Sequence, residues 1–251
     1  MSGPSLAELK ATGQPPAVLE RLNDEHWAGR LYMRRVSPRA TWVFARLGWS
    51  PNAVTVAFIV CGVAAGVIIA FGGLWSAVAG ALLIQAYLLF DCSDGELARW
   101  SGRFSATGIY LDRVGHYLGE AALLTGLGLR AQGHLTVSGP YVTAGLAAAL
   151  LAMLVKAETD NVIVARAQSG LTGSHTDADL APRGSGLAAA LKVHRVIQAV
   201  ELSLLILLAA IIDAIAGNLA ATRVLLVACL VIAGFLAVAH LVAIVASRRL
   251  R

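Results

Sequence analysis

Long apolar runs separated by short polar breaks dominate the chain from residue 51 onward. A helix needs about 17 or more mostly apolar residues to cross a bilayer. We place six predicted spans at residues 53–70, 75–98, 107–129, 141–164, 187–215 and 219–246. Ser50-Pro51-Asn52 predicts the start of the first span, because serine can cap a helix and proline suits its first turn. The pattern therefore predicts an all-α integral membrane fold.

The first 50 residues have a different pattern. Between His26 and Trp49, aromatic and aliphatic residues alternate with arginines, which is typical of an amphipathic helix lying at the membrane interface. We expect this segment to be broken near Pro38, because proline removes a helix hydrogen bond. The domain prediction is a cytoplasmic tail with this interfacial segment over residues 1–50, and a six-helix transmembrane domain over residues 51–251. A polar loop is expected from residue 168 to 185.

Composition and charge agree with a membrane protein. Hydrophobic residues make up 57% of the chain and charged residues 14%, which excludes an ordinary soluble domain. The net charge of +5 would suit nucleic acid, but of the twenty Lys and Arg only Arg130 and Arg223 fall on the predicted outer side. This asymmetry predicts a multi-pass protein, in the cell membrane, with both termini inside and no nucleic-acid partner. The three cysteines lack CxxC spacing, so we expect neither a disulfide nor a zinc site.

Two polar clusters lie at the predicted inner ends of the second and third spans. Helical spacing places the following residues on one face of each helix: Asp91, Asp94, Gly95 and Ala98 on the first, and Gly108, Asp112, Gly115 and His116 on the second. The linker between the spans is short, so we expect them to be antiparallel neighbours whose faces meet. Acids at membrane depth are costly unless they bind a cation, and substrate phosphates can complete the shell of a hard divalent ion. The glycines leave room for a phosphate or allow close helix packing, and Arg99 could hold a phosphate. The clusters predict a metal–diphosphate site that opens to the cytoplasm.

The motif Asp91-x2-Asp94-Gly95-x2-Ala98-Arg99-x8-Gly108-x3-Asp112-x3-His116 resembles the signature of the CDP-alcohol phosphotransferase family, D-x2-D-G-x2-A-R-x8-G-x3-D-x3-D. Seven of its eight fixed identities are present at matching spacing. The resemblance extends over about residues 30–247, including Pro51-Asn52-Ala53-Val54-Thr55.

The resemblance implies an integral-membrane transferase of phospholipid or related biosynthesis, usually a homodimer. Such an enzyme moves a phosphatidyl or phospho-alcohol group from CDP-diacylglycerol or another CDP-alcohol to an alcohol acceptor and releases CMP. It implies that Mg²⁺ or Mn²⁺ binds at the positions of Asp91, Asp94, Asp112 and His116. It also implies that the CDP moiety is held by Asn52, Thr55, Gly95, Arg99, Ser105 and Gly108.

The chain departs from the family pattern at His116, which replaces the aspartate credited with metal binding and with deprotonating the acceptor. Three interpretations stay open. The imidazole can be the general base, it can be a metal ligand that shifts preference from Mg²⁺ toward Mn²⁺, or transferase activity has been lost or altered. Glu120, one turn further on, could orient His116 or replace the missing carboxylate.

The acceptor site is less well defined by sequence. Ala165-Arg166-Ala167 resembles a segment of the family members that use polyol-phosphate acceptors, so Arg166, Lys156 and Arg195 could bind an acceptor phosphate. Positive-inside anchoring explains these residues equally well. Two other classes compete with an enzyme of this family. A cation-coupled transporter would show inverted repeats, and a prenyltransferase would need a second acidic motif; the sequence has neither.

Overall fold

The computed structural model describes residues 5–16, 28–170 and 197–246, and within these ranges it is almost entirely helical, without a strand. A short helix α1 (Leu6–Gly13) precedes a π-helical turn (Gly29–Met33) that continues into α2 (Arg34–Arg46). Six long helices follow: α3 (Pro51–Ala70), α4 (Gly73–Ser101), α5 (Ala106–Gln132), α6 (Pro140–Gln168), α7 (Ala199–Ala216) and α8 (Ala220–Ala246). The predicted all-α membrane fold with N-terminal helices is confirmed.

Five of the long helices, α3, α4, α6, α7 and α8, are long and apolar enough to cross a membrane. Helix α5 is as long as α8, with 27 residues each. It fails the same test of composition, because it carries charged and polar residues, including Asp112 and His116 of the motif and Glu120 beyond it. The predicted count of six spans therefore stays a prediction, as does the division into domains at residue 50.

Two predicted element boundaries were wrong. Pro38 lies inside α2 and does not break it. Proline cannot donate to the carbonyl of Arg34 four residues earlier, and Gln14 Nε2 donates to that carbonyl instead, at 2.8 Å. The fifth span does not run unbroken from residue 187, because Gln198 has extended backbone and α7 begins at Ala199. Residues 171–196, which include most of the expected polar loop, lie outside the described residues.

The motif faces of the second and third predicted spans meet as expected, since His116 Nε2 of α5 lies 3.3 Å from Asp91 Oδ1 of α4. The closest backbone packing of both helices, however, is with α3. Glycines allow α3 and α5 to cross closely. A Cβ atom at Gly126 would lie 2.2 Å from the carbonyl oxygen of Gly66, so the two backbones touch. The Tyr87 side chain bridges α4 to α5, and a Cβ atom at Gly119 would lie 2.9 Å from its ring. The motif faces of α4 and α5 therefore meet through their side chains, while the two helix backbones do not pack closely on each other.

The N-terminal helices pack on the half of α4 that carries the motif, since α1 and α2 both contact α4 and each other. Phe44 of α2 stacks on Phe90 of α4 with ring centroids 5.5 Å apart. Tyr32, in the π-helical turn, donates a hydrogen bond to Gln85 Oε1 of α4. These contacts hold the π-helical turn and α2 against the end of the bundle where α4 ends and α5 begins.

Candidate active site

A cavity of about 710 Å³ opens at that end of the bundle. Its wall includes all ten residues predicted to bind the donor or a metal: Asn52, Thr55, Asp91, Asp94, Gly95, Arg99, Ser105, Gly108, Asp112 and His116. They come from the start of α3, the end of α4, and the start of α5. Three elements that are separate in sequence therefore build one chamber.

Asp91, Asp112 and His116 lie together in the cavity wall and form the candidate metal-ligand group. Each offers one ligand atom, and these atoms all lie within 4.8 Å of one another. His116 Nε2 is 3.3 Å from Asp91 Oδ1 and 3.7 Å from Asp112 Oδ1. The pair on α5 has i,i+4 spacing, so both side chains face α4. Two carboxylates and an imidazole nitrogen at these distances fit a divalent cation.

Asp94 lies in the same wall but outside this close group. Its side chain is 9% exposed, and Oδ2 accepts a hydrogen bond of 2.7 Å from Thr55 Oγ1. Thr55 also donates to the carbonyl of Pro51 in the turn below it. The contact with Thr55 fixes the second motif aspartate to the beginning of α3.

Tyr87 is a site residue that the sequence analysis missed. Its Oη lies 3.0 Å from His116 Nδ1, and its ring packs on Phe58 with centroids 4.2 Å apart. The only signal for it was its position four residues before Asp91, within an apolar run. Glu120 Oε1 lies 3.1 Å from Lys156 Nζ, so the structure pairs Glu120 with Lys156 and gives no support to the suggestion that it orients His116. Glu120 still lines the cavity. Both ring nitrogens of His116 therefore face polar partners, carboxylates on one side and a phenol on the other.

The glycines of the motif make room for protein side chains. A Cβ atom at Gly115 would lie 2.1 Å from the Phe58 ring, so this glycine serves helix packing. A Cβ atom at Gly108 would lie 2.9 Å from Asn52 Oδ1, and one at Gly95 would lie 3.1 Å from Arg99 Nη1. The last two glycines line the cavity, so they also leave its wall open beside Asn52 and Arg99.

The start of α5 is tied to the start of α3 at the cavity mouth. Ser105 caps α5, and its Oγ accepts from the backbone N–H of Gly108 at 2.9 Å. The same hydroxyl donates to Asn52 Oδ1 at 3.3 Å. The linking turn is closed by Gly102, whose φ of 65° lies in the left-handed region that favours glycine.

Lys156 and Arg166, the two described residues among the predicted acceptor-binding cations, do not share one position. Lys156 and its partner Glu120 line the cavity. Arg166 is not among the described residues of the cavity wall; it lies ten residues further along α6, or about 15 Å at the helical rise. Arg195 lies outside the described residues. Of the two described cations, Lys156 is the one that lines the same cavity as Asp112 and His116.

The chain was also compared with known proteins. A family model described as CDP-alcohol phosphatidyltransferase matches residues 49–245. None of the curated proteins in the comparison matches the chain. The family match begins just before α3, ends within α8, and includes every residue of the acidic motif. Because it covers well over half of the sequence, the chain belongs to the CDP-alcohol phosphatidyltransferase family.

Proposed function

We propose that this membrane enzyme transfers a phosphatidyl or phospho-alcohol group from a CDP-linked donor to an alcohol, in phospholipid or related lipid biosynthesis. Membership of the family supports a phosphotransferase with CDP-alcohol donors and alcohol acceptors. The acceptor oxygen forms a new bond to the phosphorus that carries the donor alcohol. The bond from that phosphorus to the oxygen of CMP breaks, CMP leaves, and the hydroxyl proton is released.

The observation that carries the proposal is the group formed by Asp91, Asp112 and His116 within the cavity wall. These three residues would hold the divalent cation, with Asp94 beside them. Such an ion, Mg²⁺ or Mn²⁺, would supply positive charge for the donor diphosphate and for the charge that develops on departing CMP. The acids lie at the end of α4, next to a cavity large enough for a nucleotide, instead of along a path through the bundle. This placement favours a transferase over a cation-coupled transporter.

The donor fits the wall that surrounds this group. Arg99 and Arg103 line the cavity and supply positive charge for phosphate oxygens. Asn52 and Ser105, tied together at the mouth, offer hydrogen-bonding groups for the cytidine portion. Gly95 and Gly108 keep the wall shallow where the nucleotide would lie. We therefore assign CDP to the side of the cavity formed by the starts of α3 and α5 and the end of α4.

His116 is best explained as a metal ligand. Its Nε2 points toward both carboxylates, and its Nδ1 faces the buried Tyr87 hydroxyl. A hydrogen bond from the second ring nitrogen is the usual way to orient a ligating histidine. In the ligand role, His116 takes the place of the fourth aspartate of the family signature and completes a group of three ligands with Asp91 and Asp112. The general-base role is the alternative that variants at this residue distinguish.

The acceptor would bind beside His116, where the cavity is lined by Glu120, one turn further along α5, and by Lys156 of α6. A carboxylate and an ammonium group side by side can accept from and donate to the hydroxyls of a polyol or a polyol phosphate. We further propose that the cavity faces the cytoplasm in the cell membrane with both termini inside, because the basic residues cluster at this end. The family resemblance favours a homodimer.

The test is release of CMP from a panel of CDP-linked donors by the purified protein, with Mg²⁺ or Mn²⁺ supplied separately. Asp91→Asn and Asp112→Asn are expected to abolish metal-dependent turnover. Asp160→Asn is the matched control, because Asp160 pairs with Arg113 away from the cavity wall. Full turnover in both motif variants, or no CMP release by the folded wild-type protein from any donor, contradicts the proposal.

Variants of His116 then assign its role. If His116 is a ligand, His116→Asp retains turnover and lowers the preference for Mn²⁺ over Mg²⁺, because a carboxylate replaces a nitrogen ligand. His116→Ala then weakens metal binding. If His116 is instead the base, His116→Ala lowers the rate at saturating metal and leaves metal affinity intact.

A further inference from the structure

Glu96 is a buried carboxylate inside the acidic motif, at a position that the family signature leaves variable. Its side chain has no exposed surface. Oε1 accepts from Ser37 Oγ at 2.6 Å and from Gln14 Nε2 at 2.8 Å, and Oε2 accepts from Thr41 Oγ1 at 2.7 Å. Arg34 Nη1 adds a cation 3.7 Å away. An acid this deeply buried needs such partners, so Glu96 fixes α1 and α2 to the motif helix.

The contact with α1 continues directly to Arg99. Gly13, the residue before Gln14, accepts a hydrogen bond of 2.7 Å from Arg99 Nε through its carbonyl oxygen. Glu96 and Arg99 are one turn apart on α4, so two consecutive residues of the N-terminal segment contact two motif positions. A Cβ atom at Gly13 would lie 3.2 Å from Glu96 Cβ, so a glycine permits this close approach.

Bonding at Nε fixes the plane of a guanidinium group and, with it, the direction in which the Nη atoms point. Arg99 lines the cavity, and its Nη1 lies over Gly95, on the side assigned to the diphosphate. The carbonyl that holds Nε belongs to residue 13, whereas the family match starts at residue 49. A segment outside the family region thus sets the orientation of a residue inside the motif.

We propose that Glu96 and Gln14 are positioning residues for the nucleotide: they dock the end of α1 on α4 so that the Gly13 carbonyl directs the Arg99 guanidinium toward the donor diphosphate. This inference rests on the proposed function, because it requires that Arg99 binds the CDP moiety. Without the contacts of Glu96 and Gln14 that hold α1 on α4, the Arg99 side chain would become ordered only when the donor binds. Ordering one flexible side chain corresponds to a loss of about 3- to 10-fold in affinity.

The experiment is a double-mutant cycle on the full-length protein, with equilibrium binding of CMP at fixed Mg²⁺ as the readout. Gln14→Ala is expected to weaken CMP binding about 3- to 10-fold and to raise the KM for the donor with little change in kcat. In the Arg99→Ala background the same change should have no further effect, because it acts through Arg99. A purely structural role would weaken binding equally in both backgrounds.

Two further variants complete the design. Glu96→Gln keeps the volume of the side chain and removes its charge. It should weaken CMP binding as Gln14→Ala does, and it should cause no further loss of CMP affinity in the Arg99→Ala background. Gln85→Ala is the matched control, because it loses the bond from Tyr32 to the same helix and does not touch Glu96. CMP affinity in this control should equal that of the wild type.

The outcomes separate the two proposals. Weakened CMP binding in Arg99→Ala, together with unchanged binding in Gln14→Ala or with additive losses, overturns the positioning role and leaves the donor site intact. Unchanged CMP binding in Arg99→Ala overturns both the positioning role and the assignment of Arg99 to the donor.

Discussion

Replacing Tyr87 by phenylalanine tests whether the metal-ligand group depends on a residue outside the motif. The phenol hydroxyl lies 3.0 Å from His116 Nδ1, and the tyrosine side chain is only 2% exposed. Phenylalanine keeps the ring contacts with Phe58 and with the glycines of α3 and α5. The substitution therefore removes one hydrogen-bonding group at nearly constant packing.

The size of the expected loss in metal affinity follows from which nitrogen of the His116 imidazole carries the proton. When Nε2 binds a cation it carries no proton, so the proton is on Nδ1 and needs the Tyr87 oxygen as its acceptor. A buried polar group left without a partner costs about 1–3 kcal/mol. Without a cation the ring can place its proton on Nε2 and donate to Asp91, which recovers part of this cost. We expect Tyr87→Phe to weaken Mn²⁺ binding about 5- to 50-fold, which overlaps the range of about 10- to 100-fold found when partners of metal-binding histidines are removed.

The measurement is titration of the purified protein with Mn²⁺, followed by calorimetry, with the metal dependence of CMP release as a second readout. Tyr117→Phe is the matched control, because Tyr117 Oη donates 2.5 Å to Asp160 Oδ2, away from the metal-ligand group. The control should retain the wild-type Mn²⁺ affinity. Equal Mn²⁺ affinities for wild type and Tyr87→Phe, or equal losses in both tyrosine variants, would refute the reasoning.

Two more predictions concern contacts of α3. Thr55→Val removes the hydroxyl that donates a hydrogen bond of 2.7 Å to Asp94. Because hydrogen bonds to charged groups contribute about 1.5–3 kcal/mol, this change should lower kcat/KM for the donor roughly tenfold. Thr143→Val, whose hydroxyl bonds only a carbonyl at the opposite end of the bundle, should leave kcat/KM unchanged, and a similar loss in both variants would disprove the role of Thr55. Gly126→Ala should reduce the free energy of unfolding in detergent by about 1–3 kcal/mol or more, because its Cβ would overlap the Gly66 carbonyl. Gly234→Ala is the control, with its nearest neighbour at 3.8 Å, and equal stabilities would show that the α3–α5 crossing is not tightly packed.

The sequence by itself determined most of the helices. It also predicted that Asp91, Asp112 and His116 share one site, together with Asp94, which the structure places outside their close group. Apolar runs fix which segments form membrane helices, and the spacing within one helix fixes which side chains share a face. Asp112 and His116 are one turn apart for this reason alone. Helix starts were also predictable at Ser50, because the capping bond joins residues three apart. These features depend on the covalent geometry of neighbouring residues, so they can be read without knowledge of the fold.

Only the tertiary structure decided which helices touch and which partners the site residues have. Gln14 and Glu96 are 82 residues apart, and no local pattern links them. Tyr87 reaches His116, and Glu120 turns to Lys156, because α3 inserts beside α4 and α5 and α6 packs on α5. That arrangement depends on small residues such as Gly66 and Gly126, which let two backbones approach. Which side chains contact each other across two helices depends on how those helices pack, and this packing is not encoded in the spacing of residues within either helix.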